Sequence, residues 1–257
     1  IEQFWLSYID ALIKEQQFDS AKQVIEQAKK SGIAGDKIDV LSQQLISKNQ
    51  KEASVKSQSD RLIKYYQNGQ YYDAEILALT ITKNFPGNQL GWQVLGAVLG
   101  QTGRISEALV ANQRAVELSP EDAVSRINLG NILQELARFE EAEESFKESI
   151  KLNSNLPEAH YNLGNTLKEL SKLKEAEKSY RKAISLRPIY YEAHCNLGAL
   201  LQEFGSLVEA EASFRQAIVL NSDYIDAIFN LGMLLYENRN FEAAIEQFIL
   251  IDFNKSK

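Results

Sequence analysis

A 34-residue period runs from residue 89 to residue 257 of this 257-residue chain, and it restricts the fold more than composition does. Its anchor is a Leu-Gly pair, recurring as Leu95-Gly96, Leu129-Gly130, Leu163-Gly164, Leu197-Gly198 and Leu231-Gly232. Twelve residues after each glycine stands an alanine: Ala108, Ala142, Ala176, Ala210 and Ala244. Four further on come Phe146, Tyr180, Phe214 and Phe248, and Ala115, Ser149, Ala183 and Ala217 supply a second small residue. A fixed period of this length marks an array of one supersecondary unit, each copy burying its apolar face against the next.

The unit reads as a helix pair. In residues 157–190, Leu163, Leu167 and Leu170 fall at i, i+4 and i+7, one stripe of a first helix. After a polar break at Ser171-Lys172, Ala176, Tyr180, Ala183 and Ile184 form the stripe of a second. Gly164 and the alanines let backbones approach, and Tyr180 fills the space between layers, as dense helix packing requires. All four prolines, Pro86, Pro120, Pro157 and Pro188, lie at copy boundaries, where they avoid the ~3 kcal/mol cost of a helix interior.

These residues resemble the tetratricopeptide repeat (TPR), a 34-residue helix pair with this pattern. Trp92, Leu95, Gly96, Leu99, Ala108, Ala115 and Pro120 match one whole copy. The clear copies are 89–122, 123–156, 157–190, 191–224 and 225–257. A weaker copy at 55–88 keeps Tyr65, Gly69, Ala74, Ile81 and Pro86, with Arg61-Leu62 in place of Leu-Gly. A degenerate copy at 2–35 keeps Trp5, Leu12, Ala21 and Ala28, with Ile9 at the glycine. The resemblance implies an all-α fold, a right-handed α-solenoid of antiparallel helix pairs, and a protein-protein interaction role rather than an enzyme.

The domain organisation follows. Residues 1–50 read as a degenerate helix pair plus an extra helix with Ile38, Leu41 and Leu45 on one face. Residues 51–60 are polar, and such composition does not fix a packed structure by itself. They read as a linker or as the solvated part of a long helix. Residues 61–257 form the main array. The chain opens at Ile1 without a methionine, which reads as a fragment or a processed product.

Net charge is −7, which argues against a nucleic-acid partner, since those surfaces are basic. No apolar run is long enough to span a membrane. One cysteine, Cys195, supports no disulfide framework and suggests a reducing, cytoplasmic compartment.

Function is sought on the first helix of each pair. Counting each copy from 89, 123, 157, 191 and 225, position six holds Val94, Asn128, Asn162, Asn196 and Asn230. Equivalent positions stack along a solenoid, so the asparagines form a ladder, and each amide offers the donor and acceptor that a peptide bond needs. The ladder is similar to that of the superhelical repeats of O-linked N-acetylglucosamine transferase, and Asn131 and Asn165 in the Asn-Leu-Gly-Asn runs extend the likeness. Asparagine is also the common family residue there, so peptide gripping and plain consensus both stand. Position thirteen adds an acidic row, Glu135, Glu169, Glu203 and Glu237. It favours extended segments that are neutral or basic. The family's carboxylate clamp places Lys and Arg where this chain has Glu158, Tyr161 and Asn162, or Glu192, Cys195 and Asn196, so no such clamp is expected.

Catalytic and metal sites are not expected, and no cofactor. His160 and His194 lie one copy apart, too far for one ion when helices pack 8–10 Å apart. His194 and Cys195 diverge on a helix. Tyr71-Tyr72 and Tyr190-Tyr191 read as local packing at helix junctions. The C-terminal run carries Phe248, Ile251 and Phe253, apolar on too many sides for a solvated end, which suggests a downstream domain or a homodimer. The alternative function is therefore a self-assembly module using this helix. Bacterial arrays of this style, cyanobacterial ones included, are often joined to a transferase or oxygenase domain, which implies the recruiting part of a larger protein.

Overall fold

A computed structural model describes residues 2–33 and 35–255, with side chains described through residue 251. All regular structure among the described residues is α-helical. The chain divides into two compact units, Ile1–Val94 and Leu95–Lys257.

The first unit holds α1 (Glu2–Lys14), α2 (Phe18–Lys30), α3 (Asp36–Gln67), α4 (Tyr71–Asn84) and the start of α5 (Gln89–Gln101). Its core is Ile9, Leu12, Ile13, Ala21, Ile25, Ala28, Ile38 and Leu45, the apolar faces of α1, α2 and the beginning of α3. Farther along, α3 pairs with α4 and buries Leu62, Ala74, Ala78 and Ile81. Residues 51–60 lie inside α3, which runs 32 residues without a break, roughly 48 Å. Most of that stretch is exposed, so its Lys, Gln, Ser and Ala residues hold a solvated helix that needs no core of its own.

The second unit continues α5 and adds α6 (Ile105–Leu118), α7 (Ala123–Glu135), α8 (Phe139–Leu152), α9 (Pro157–Glu169), α10 (Leu173–Leu186), α11 (Tyr191–Glu203), α12 (Leu207–Leu220), α13 (Ile225–Glu237) and α14 (Phe241–Lys255). It is an α-solenoid: from α7 to α13, each first helix packs on its own second helix and on the second helix of the copy before, as α9 does on α10 and α8. The core follows the period, with Ala142, Phe146, Ala176, Tyr180, Ala183, Ala210, Phe214 and Ala217 fully buried.

Start and stop signals act locally. Asp122 caps α7, accepting from the backbone N–H groups of Val124 and Ser125, and Pro157 opens α9. The turn inside every helix pair needs one left-handed residue at position fifteen: Gln16, Gly69, Gly103, Ala137, Ser171, Gly205 and Arg239, with φ from 53° to 76°. The degenerate copies 2–35 and 55–88 thus share the turn of the clear ones.

Candidate functional site

The first helices of the second unit carry the ladder, and its amides are held by one another. Asn162 Nδ2 donates to Asn131 Oδ1 at 2.8 Å, and Asn196 Nδ2 donates to Asn165 Oδ1 at 2.9 Å. The donor stands at position six of one copy and the acceptor at position nine of the copy before. Asn196 also donates to the Tyr161 hydroxyl at 3.2 Å, and Tyr180 Oη–H donates to Asn165 Oδ1 at 2.9 Å. At either end the partner changes. Position nine of the copy before Asn128 is Ala97, which offers no acceptor. Asn230 reaches Cys195 Sγ instead, at 3.7 Å. All six asparagines are half-buried.

These links fix each amide plane and leave polar atoms over. Asn162 Oδ1 and Asn196 Oδ1 have no hydrogen-bond partner among the described residues, and Asn162 Nδ2 carries a second N–H, whereas Asn196 Nδ2 spends both on Asn165 and Tyr161. A half-buried carbonyl in a fixed orientation can accept a backbone N–H without first ordering its own side chain.

All four glutamates of the acidic row are exposed. Two are tied across copies, Glu203 to Lys168 at 3.7 Å and Glu237 to the Gln202 amide at 2.9 Å. Gln134 makes the corresponding reach to Thr166 Oγ1 at 2.8 Å.

The histidines stand in for tryptophan. At position four, Trp92 Nε1 donates to the Pro86 carbonyl at 2.9 Å; His160 Nε2 lies 3.1 Å from the Ser154 carbonyl and His194 Nε2 3.0 Å from that of Pro188. Each ring thereby ties a helix to the residue six before it. Burial holds the His160 imidazole below its ordinary pKa, so the neutral ring donates from Nε2. Arg126 occupies the same position, and its buried Nε finds no partner among the described residues. Burial pushes the Cys195 thiol up to about 11, leaving it protonated and poorly nucleophilic. Among the described residues no cluster of His, Cys, Asp or Glu could hold a metal ion, and no helix is long and apolar enough to cross a membrane.

Sequence reasoning missed a tyrosine patch beside the ladder. Tyr161 and Tyr190 pack with ring centroids 4.8 Å apart, and Tyr191 and Tyr224 meet edge to face at 4.9 Å. The Arg187 guanidinium lies 4.9 Å from the centre of the Tyr190 ring and pairs with Glu158. The only signal was the recurrence of tyrosine at position thirty-four, Tyr190 and Tyr224. At the C-terminal end, Ile251 is buried, and Phe248 seats on Gly232, where a Cβ would stand 2.6 Å from its ring. The Phe253 side chain lies outside the described residues.

Stacked helix pairs with a polar face along their first helices are the architecture of a helical-repeat interaction scaffold. Family models for the tetratricopeptide repeat match residues 157–190 and 195–251, and one for the TPR repeat matches 130–171. These segments are tetratricopeptide repeats. Solved structures share the fold. PilW, a widely conserved type IV pilus biogenesis factor, matches at 18% identity and TM-score 0.73, over 79% of this chain and 94% of that one. YrrB, a TPR protein with an unusual peptide-binding site, matches at 21% and 0.56, over 70% and 93%. MamA from Desulfovibrio magneticus RS-1 matches at 20% and 0.58, over 65% and 94%. No curated protein sequence matches the chain.

Proposed function

We propose that the chain is a protein-protein interaction scaffold whose first-helix face, from α7 to α13, holds an extended peptide segment along Asn128, Asn162, Asn196 and Asn230. The observation that carries this reading is the lateral pairing of Asn162 with Asn131 and of Asn196 with Asn165. It sets two carbonyls, one copy apart, in fixed orientations, so the ordering cost of gripping a backbone is partly met before binding. Contacts to a backbone read no side chains, so sequence preference comes from what flanks the ladder. The exposed Glu135, Glu169, Glu203 and Glu237 favour neutral or basic segments, and the tyrosine patch offers an apolar contact. The peptide-binding site named for YrrB supports this use of the fold. The chain acts as the recruiting part of a larger assembly, not as a catalyst. A single buried cysteine agrees with a reducing, cytoplasmic setting.

The test is capture on an array of immobilised synthetic peptides of acidic, neutral and basic composition, using the chain and its Asn162→Ala/Asn196→Ala variant. The variant should lose capture while circular dichroism stays helical. Equal capture by both proteins would sink the ladder, and preferential capture of acidic peptides would sink the charge preference.

A further inference from the structure

Copy 157–190 holds an arginine of its own between a ring and a carboxylate. Arg187 closes the C-terminal end of α10 at position thirty-one, and its guanidinium lies over the Tyr190 ring at position thirty-four, 4.9 Å from the ring centre. It pairs at the same time with Glu158 at position two, in the first turn of α9. Tyr190 in turn packs 4.8 Å from Tyr161, whose hydroxyl accepts from the ladder amide of Asn196. The arginine thus fills a notch beside the ladder. A planar guanidinium suits that notch, since it stacks on a ring and donates along its edge to a carboxylate.

Copy 191–224 repeats the notch without the arginine. Tyr224 holds position thirty-four and Glu192 position two, a combination that only these two copies have. Position thirty-one is Asn221, whose side-chain carbonyl accepts from the Asp223 backbone N–H at 3.2 Å. Tyr191 meets the Tyr224 ring edge to face at 4.9 Å and adds a second aromatic wall. Glu192 lies beside the Tyr191 hydroxyl and raises its pKa by hydrogen bonding and charge. Burial, with Cys195, Asp226, Tyr161 and Glu192 nearby, holds the Tyr224 phenol above its ordinary pKa, so two carboxylates lie within electrostatic reach of this ring. Among the described residues neither Glu192 nor Asp226 forms an ion pair. Cys195 is also the residue that the ladder amide of Asn230 reaches. Tyr224 therefore stands to Asn230 as Tyr190 stands to Asn196.

We propose that this second notch, formed by Tyr224, Tyr191, Glu192 and Asp226, binds the side chain of an arginine in the segment held along the ladder. The inference rests on the reading of this face as a peptide groove, and it names the residue that the groove selects. Asparagine amides grip a backbone and read no side chain, so selection falls to the notch beside them. Two carboxylates without a cationic partner select a positive charge. The ring selects guanidinium over ammonium, because a lysine head is a compact, strongly hydrated charge that gains less from stacking. Arg187 shows the fit within the chain itself, one copy earlier. That earlier notch takes no arginine from a ligand, since Arg187 already fills it.

Fluorescence anisotropy tests it with short labelled peptides of Gly, Ser and Ala that carry one central arginine, lysine or citrulline. Citrulline has the shape of arginine without its charge. The chain should bind the arginine peptide at least ~10-fold more tightly than the citrulline peptide, with lysine between them. Asn221→Arg rebuilds the Arg187 arrangement from the chain's own side chain, so it should abolish the preference and leave citrulline binding unchanged. Glu192→Gln keeps the shape, removes the charge and should reduce the preference. Equal binding of arginine and citrulline, or of arginine and lysine, overturns the proposal. So does a preference that both variants leave intact, and so does a chain that binds none of the peptides. Asn162→Ala/Asn196→Ala separates this inference from the groove itself. If that variant loses every peptide while the unaltered chain does not distinguish arginine from citrulline, the groove stands and the notch falls. If the variant keeps the arginine preference undiminished, the notch stands and the ladder falls.

Discussion

Gly164 lies so close to the Tyr180 ring that a Cβ on the glycine would stand 2.6 Å from Cε1. The same contact recurs between Gly130 and Phe146, Gly198 and Phe214, and Gly232 and Phe248. One ring per copy fills the notch left by one missing side chain, and this locks the two helices of a pair together. Gly164→Ala must push the ring out of a fully buried site. Overpacking of this kind costs about 1–3 kcal/mol, so the urea-unfolding midpoint should fall. An unchanged midpoint would mean that the pair tolerates separation.

Copy 89–122 breaks that rule. Asn112 occupies the ring's place against Gly96, buried to 1% exposure, with Oδ1 unpartnered among the described residues. An unmet buried acceptor costs about 1–3 kcal/mol. Asn112→Phe removes it and restores the packing of the neighbouring copies. We expect a higher thermal midpoint; a drop would show that the notch beside α5 is too narrow for a ring.

Ala137 adopts φ 53° at position fifteen, where Gly103 and Gly205 stand in other copies. A left-handed alanine costs roughly 1–2 kcal/mol, offset in part by the greater chain entropy of an unfolded glycine. Ala137→Gly should therefore stabilise the chain slightly, by about 0.5 kcal/mol. Gly103→Val should do the opposite and by more. Equilibrium denaturation of both variants checks the pair of signs.

Burial depresses the His160 pKa below its ordinary 6.5, so the folded state binds a proton less readily than the unfolded state. That contribution is fully present above the unfolded pKa and is lost as pH falls through the folded one. Stability should decline from neutral pH toward pH ~5 in part through this ring. His160→Trp keeps the bond to the Ser154 carbonyl without titrating. Its decline should be shallower, and an identical slope would place the sensitivity elsewhere.

Much of this was legible in the linear order of residues. The Leu-Gly pairs, the alanines and the aromatics stand at fixed offsets within one copy, and contacts inside a helix pair follow from helical period and a short turn. The copy boundaries were legible for the same reason. The ladder was legible only as a row of asparagines at position six. Their acceptors, Asn131 and Asn165, sit at position nine in just two copies, so no period pointed to the pairing. Tyr161 beside Tyr190 was hidden likewise, because the two residues stand at opposite ends of one copy.

By itself, then, the sequence determined that this chain is a stack of helix pairs, and where each pair begins and turns. Only the tertiary structure decided which amides face one another and that residues 51–60 continue a helix. It also decided that Ile251 is buried while Ile245 and Ile249 are exposed. The physical reason is one of range. A 34-residue period sets contacts within a pair, whereas contacts between pairs depend on the small rotation and spacing from one copy to the next, which no local pattern of residues records.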